Sequence, residues 1–259
     1  MGKKRVILGV DASTSCLGTS VVSCDGDKVD VLYVHYVKMK QSKKYKGTDS
    51  LFFKSQQFKD NFINMIKDWG ITDIVIEEPL PSSQNINTVN SLMKFNGMIS
   101  QSLYETLNVT PKYISSYDAR KYAFPDLLAI RKYNKKGDEY DKAKIIKAIK
   151  NNDLVLFGSF EWSVQKKFIL WNKIVDLYPE INWTYDKENN LKVENFDASD
   201  SLICILGQIN KEKYSEDKPV IIDYEVKKGQ QENELCNISY NFKFCDKIFK
   251  KNISLTKNN

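Results

Sequence analysis

Four acidic residues stand beside apolar segments, where a charged side chain adds nothing to folding. They are Asp11, Glu77, Asp197 and Asp200. Asp11 ends the apolar run RVILGV, and Glu77 follows an Ile-Val-Ile run. Asp197 and Asp200 are three positions apart in DASDSLICILGQIN, which places both on one face of a helix. Because clustered carboxylates raise one another's pKa unless a cation neutralises them, this set predicts a metal site.

The residue types around this set narrow the choice of metal. The chain has one histidine, His35, and five cysteines with no CxxC pair, so a Ser-His triad, a His-rich metal site and a zinc knuckle are all disfavoured. Oxygen ligands alone favour Mg²⁺, with Mn²⁺ as a substitute, over Zn²⁺. Two such ions about 4 Å apart would activate a water and stabilise the leaving oxygen in phosphodiester hydrolysis.

Two of the carboxylates also have a structural explanation. Asp11 could cap the turn that follows it, and Asp197 could be a helix N-cap, a position that Asp favours. Glu78 competes with Glu77, since neighbouring strand residues point to opposite faces and Glu77 shares the face of Val75. The residues alone leave this choice open.

The elements that must position the carboxylates follow from hydrophobic periodicity. RVILGVD, TSVVSC and VDVLYVHYV predict three strands joined by short turns, with His35 on the more polar face of the third. A helix over about 51–69, the strand TDIVIEE, a helix over about 87–107 and the strand KYISS come next. The first, fourth and fifth strands would lie parallel through helical crossovers. The order predicts an α/β fold of the ribonuclease-H-like kind, a mixed five-stranded sheet flanked by helices.

The second half of the chain is less regular. Helices are predicted near 117–124 and 141–149, and the aromatic-rich stretch 157–195 favours core packing over base stacking. The predicted organisation is a nuclease-type domain over 1–210, with an insertion at about 152–195 before the last helix. A C-terminal extension of unknown role, 211–259, could add strands.

Composition predicts a soluble chain. It has 259 residues, 42% of them hydrophobic, and neither a signal-peptide apolar core nor a run that approaches a membrane span, which predicts a cytoplasmic protein, in the host cell if viral. The cysteines are interpreted as reduced thiols. Residues 128–151 hold eight Lys and Arg against three acidic residues, a cluster typical of a solvated helix face and compatible with a nucleic-acid partner.

Three segments together resemble a known family. ILGVDASTSCLGTSVV, IVIEEP and DASDSL are similar, in order and in placement on the predicted elements, to the signatures of the RuvC family of Holliday junction resolvases. The resemblance runs from about Val6 to Gly207 with a long insertion. It implies a homodimeric, metal-dependent endonuclease that cleaves four-way DNA junctions in recombination and repair. A phage origin is inferred from the additions to the family pattern.

The resemblance also implies roles for individual residues. It favours Glu77 over Glu78, and it completes a catalytic, metal-binding set of Asp11, Glu77, Asp197 and Asp200. SYDARKYA and DKAK resemble the family's basic stretch, which carries a catalytic role onto Lys142 and DNA binding onto Arg120, Lys121, Lys142 and Lys144. QNINTVNSLMKFNGMI resembles the helix that helps form the dimer. Leu80 stands where the family has a base-stacking aromatic residue.

Three other functions are alternatives to the junction nuclease. The same fold could serve a nuclease for flap, branched or single-stranded DNA. The first segment also resembles the phosphate loop of actin-like kinases, although a second phosphate motif and an adenosine-binding Gly-Gly stretch are missing from the sequence. A catalytically inactive DNA-binding relative is disfavoured because all four carboxylates are present.

Overall fold

The computed structural model describes residues 4–79, 86–158 and 165–257 of the chain. The chain forms two compact units. The first combines Met1–Ala119 with Lys167–Gln208, and the second combines Arg120–Lys166 with Ile209–Asn259. Each unit is therefore built from two separated stretches of sequence.

The first unit contains a five-stranded sheet in the order β3-β2-β1-β4-β5. The strands are β1 (Arg5–Ala12), β2 (Cys16–Asp25), β3 (Lys28–Lys38), β4 (Asp73–Glu77) and β5 (Pro111–Ile114). β1, β2 and β3 are antiparallel neighbours, whereas β1–β4 and β4–β5 are parallel pairs. This is the ribonuclease-H-like arrangement, so the predicted fold class is confirmed.

Helices flank this sheet and bury apolar side chains against it. They are α1 (Gly47–Phe58), a π-helical segment (Lys59–Ile63), α2 (Asn64–Ile66), α3 (Ile86–Leu107), α4 (Ser116–Ala123), α6 (Lys166–Leu177) and α7 (Glu194–Lys213). Phe58, Phe62 and Phe95 are fully buried in one cluster with strand residues such as Leu8 and Ile74. This core fixes the sheet on which the acidic residues stand.

The second unit has its own core. It holds a 3-10 turn (Pro125–Leu127), β6 (Leu128–Ile130), α5 (Lys142–Lys150), β7 (Leu154–Leu156), β8 (Val220–Lys228), β9 (Glu234–Phe244) and β10 (Lys247–Thr256). β6 pairs with β7, and the last three strands form a sheet in the order β10-β9-β8. The hydroxyl of Tyr240 accepts a hydrogen bond of 2.8 Å from the backbone N–H of Ile130. The expectation that the tail adds strands is confirmed.

The units do not coincide with the predicted stretches 1–210 and 211–259. Alternate residues of β9, including Ile238 and Phe242, are buried in one cluster with Ile145 and Ile149 of α5. A three-stranded sheet with one apolar face needs such a cover, and residues 120–166 supply it. The predicted insertion, 152–195, is likewise divided, since β7 belongs to the second unit and most of α6 to the first.

Three further predictions concern the cysteines, His35 and the aromatic-rich stretch. All five cysteines are buried free thiols. His35 is exposed on β3, with its ring centroid 4.8 Å from that of Tyr36. In the aromatic-rich stretch, the Trp171 ring packs edge-on against that of Trp183, at 5.8 Å between centroids. Within the described ranges, no helix is long and apolar enough to span a bilayer.

Candidate active site

Two adjacent parallel strands place the first two carboxylates. Val10 of β1 lies opposite Ile76 of β4, so the next residues, Asp11 and Glu77, come at the same edge of the sheet. Both side chains are partly exposed there. Glu78, the rival of Glu77, is exposed, and its backbone N–H bonds to the carbonyl of Ile114 at 2.8 Å.

Helix α7 brings the other two carboxylates to this edge. Asp197 lies in its first turn, and Asp200, one turn later, is only 6% exposed. Two glycines let the helix lie directly on the strands. A Cβ at Gly18 would stand 1.8 Å from the carbonyl oxygen of Asp197, and one at Gly9 would stand 2.2 Å from that of Ser201. Since Gly18 pairs with Asp11 in the sheet, the contact holds Asp197 beside the first carboxylate.

The other three carboxylates act on the electrostatics of Asp11. Desolvation by partial burial raises its pKa well above the ordinary value. The charges of Glu77, Asp200 and Asp197 raise the pKa further. Lys167 acts in the opposite direction. Asp11 is thus the centre of a concentration of negative charge that a cation would relieve.

Lys167 is a cation that lies beside this cluster. Its Nζ lies 3.7 Å from Oδ1 of Asp197. Burial raises the pKa of Asp197, while the charge of Lys167 and a hydrogen bond from the Cys16 thiol lower it. The Lys167 side chain remains 59% exposed, so it can leave this ion pair at little cost.

Sequence reasoning missed Lys167, although a signal for it exists. Lys167 precedes Leu170 and Ile174, both buried, by three and seven positions on α6. That spacing puts the lysine on the apolar side of the helix. A charged residue at the start of an apolar helix face is a reason to look for a partner carboxylate.

Two cysteine thiols touch the carboxylates. Sγ of Cys204 lies 3.9 Å from Oε2 of Glu77, and the Cys16 thiol bonds to Asp197. Burial, followed by the charge of Asp197, raises the pKa of Cys16. Cys16 therefore stays protonated and acts as a hydrogen-bond donor that orients a carboxylate.

The cluster fits a hard divalent cation in its charge and in its donor atoms, which are all carboxylate oxygens. Among the described residues, however, no group of three or more His, Cys, Asp or Glu side chains is arranged to hold an ion. The Asp197 carboxylate faces Lys167 instead. Binding a metal would thus require the acidic side chains to rotate toward a common point and Asp197 to leave Lys167.

The other residues singled out from the sequence lie elsewhere. Arg120, Lys121, Lys142 and Lys144 belong to the second unit. Lys121 Nζ is 5.0 Å from the centroid of the Phe244 ring, and Lys142 begins α5. The backbone N–H of Lys144 bonds to the capping carboxylate of Asp141 at 2.7 Å. Leu80 lies outside the described residues.

The fold and the cluster together define a ribonuclease-H-like domain with an acidic site at the edge of its central sheet. Comparison of the sequence with models of known families and with curated proteins found no match. Among solved structures, Thermus thermophilus RuvC aligns with a TM-score of 0.48 and 11% identity, over 80% of this chain and 95% of that one. T. thermophilus RuvC in complex with Holliday junction substrate gives 0.46, with the same identity and coverage. The yeast mitochondrial Holliday junction resolvase Ydc2 gives 0.42 and 15% identity, over 81% of each chain.

Proposed function

We propose that this protein is a metal-dependent endonuclease that hydrolyses phosphodiester bonds of branched DNA, four-way junctions in particular. The observation that carries the proposal is the position of Asp11 among three other carboxylates at the edge of the sheet. A folded protein gains no stability from four acidic groups gathered in this way. Their value lies in binding a cation and, through it, a phosphodiester.

Asp11, Glu77, Asp197 and Asp200 would hold one or two Mg²⁺ ions, with Mn²⁺ as a substitute. When bound, such ions supply an activated water and stabilise the leaving oxygen. The protein's own part is to fix the carboxylates. β1 and β4 hold two of them on rigid strands, and the close contacts at Gly9 of β1 and Gly18 of β2 hold the helical pair against β1 and β2.

Lys167 has two roles in this proposal. Without metal it offsets the charge of Asp197. If Asp197 served as a metal ligand, the exposed ammonium would be free to meet a phosphate oxygen, where a positive charge stabilises the transition state.

Replacing Lys167 is expected to separate these two roles. Lys167→Ala should lower turnover by about tenfold to a hundredfold, the range for loss of a group that supports a metal site, and should also lower the Mg²⁺ concentration for half-maximal rate. Initial rates across a Mg²⁺ titration measure both quantities. Lys166→Ala removes the same charge one residue earlier on the same helix and should change neither. A higher Mg²⁺ requirement in Lys167→Ala than in the control, or equal behaviour of the two variants, would contradict the assignment.

The choice of a four-way junction as the substrate rests on the resemblance to the RuvC family. A homodimer would present two carboxylate sites to a four-way junction and nick two strands. Ile86 and Met93 of α3 are 72% and 56% exposed, which supports a helix with a partner. The basic residues Arg120, Lys121, Lys142 and Lys144 stay predictions for DNA contact, and Lys142 for catalysis. A nuclease for flap or single-stranded DNA uses the same site.

A panel of labelled substrates tests the proposal. The purified chain should cleave a four-way junction with Mg²⁺ faster than three-way, flap, single-stranded or linear DNA, at paired positions in two strands. Light scattering should give a dimer. Faster cleavage of flaps by a monomer would replace the junction by the alternative substrate, and no cleavage of any substrate with Mg²⁺ or Mn²⁺ would refute the nuclease.

A further inference from the structure

The second unit carries a basic cleft, here defined by its three cations Arg131, Lys144 and Lys147. It has a volume of about 540 Å³. Its remaining walls include Tyr140 before α5, Asn151 just after α5 and Leu154 of β7, and one acidic residue, Asp153, reaches it. Three positive charges against one negative charge make the cleft a site for an anion.

Helix α5 exposes two of these cations to solvent. Ile145 and Ile149 bury one face of α5 in the core of the second unit. Lys144 and Lys147, three positions apart, therefore share a neighbouring face, and both are exposed. Like charges at this spacing repel each other, so the arrangement costs stability until an anion binds between them.

None of the three cations of the cleft forms an ion pair with a described residue, whereas the nearby Lys132 is paired with Glu139 at 3.1 Å. Lys144 Nζ lies 4.8 Å from the centroid of the Tyr140 ring, which places an aromatic surface beside the charges. Cations next to an aromatic ring are the combination that follows a nucleic-acid backbone and stacks on its sugars or bases.

We infer that the basic cleft binds the phosphodiester backbone of DNA as a second contact, in addition to the carboxylate site. The inference rests on the proposed function, because that function makes DNA the polyanion that the chain meets. Phosphate contacts of this kind position a protein on DNA without reading its sequence. The second unit would then increase the affinity for DNA, and the first unit would hydrolyse the phosphodiester bond.

The test uses two triple variants of the full chain, each made in an Asp11→Asn background to prevent cleavage. One is Arg131→Gln/Lys144→Gln/Lys147→Gln. The matched control, Lys228→Gln/Lys247→Gln/Lys250→Gln, removes three exposed charges elsewhere on the same unit. Fluorescence anisotropy with a labelled four-way junction gives Kd over a range of salt concentrations, and inorganic phosphate serves as a competitor.

The cleft variant should bind more weakly, and the slope of log K against log salt should fall in magnitude by about two to three, near 0.9 for each phosphate that the cleft no longer neutralises. The control should keep the slope of the Asp11→Asn parent. Equal slopes for the two triple variants would overturn the inference, as would displacement of DNA from the cleft by millimolar inorganic phosphate, which indicates a small-anion site. If the parent and the wild type bind no DNA at all, the proposed function fails as well.

Discussion

Asp11→Asn is expected to reduce Mg²⁺-dependent cleavage of a four-way junction by more than about a hundredfold, beyond the cost of losing a group that only supports a metal ligand. The substitution keeps the shape of the side chain and removes the charge at the centre of the acidic cluster. Junction binding should be retained, because it depends on cationic groups. Initial rates and anisotropy measure the two effects. Asp68→Asn, an exposed site on the first unit, is the control for loss of one negative charge.

The same variant should be more stable than the wild type when no metal is present. Burial and three carboxylates raise the pKa of Asp11 in the folded state. Protonation of Asp11 therefore favours folding below its ordinary value of 3.8, and this advantage is lost as the pH rises through the higher folded pKa. At pH 7 the charge costs stability, and an amide avoids that cost.

Thermal melts distinguish these states. Without metal at pH 7, Asp11→Asn should melt several degrees higher, at about 2–4 °C for each kcal/mol, and the gain should shrink as the pH approaches 4. Mg²⁺ should raise the melting temperature of the wild type by mass action and leave the variant unchanged. If Asp11→Asn cleaves at the wild-type rate, or if Mg²⁺ raises the melting temperature of both proteins equally, then Asp11 is not part of the metal site.

Gly18→Ala is expected to have the second largest effect. The new Cβ would stand 1.8 Å from the carbonyl oxygen of Asp197, an atom of the helix backbone that cannot turn away. Helix α7 must then shift from the strand. Overpacking of this kind costs about 1–3 kcal/mol, and a displacement of about 1 Å in a catalytic group can cost a hundredfold in rate.

Gly97→Ala is the matched control. Gly97 lies within α3, and a Cβ there would meet nothing within 4 Å. Because alanine is favoured over glycine inside a helix by about 1 kcal/mol, this variant should melt slightly higher than the wild type. If Gly18→Ala melts and cleaves like the wild type, the contact between β2 and α7 does not position the carboxylates.

The sequence was sufficient to predict the sheet and the residues at its edge. β1 and β4 are short apolar runs that each end in a carboxylate, and this local pattern identifies both the strand and the candidate ligand. Asp197 and Asp200 carry their own signal, since their spacing matches a helix. Gly9 and Gly18 can be read from the sequence. The need for glycine at these positions follows only from the backbone atoms of α7 that lie close to them.

The remaining features depend on contacts between distant parts of the chain. β9 alternates apolar and polar residues, which indicates a strand, yet nothing local shows that its apolar face meets α5 almost a hundred residues earlier. Lys167 became part of the site only when α6 was seen to bring it to Asp197.

The path of the chain through the two units bears on how the protein is made. The polypeptide passes between the units three times, after residues 119, 166 and 208. During synthesis, the first unit has all of its residues once α7 has left the ribosome, whereas the second must wait for β8, β9 and β10. Until then α5 has no sheet to cover Ile145 and Ile149. A ribosome that pauses between α7 and β8 would therefore present a complete first unit and an incomplete second unit with an uncovered apolar helix face.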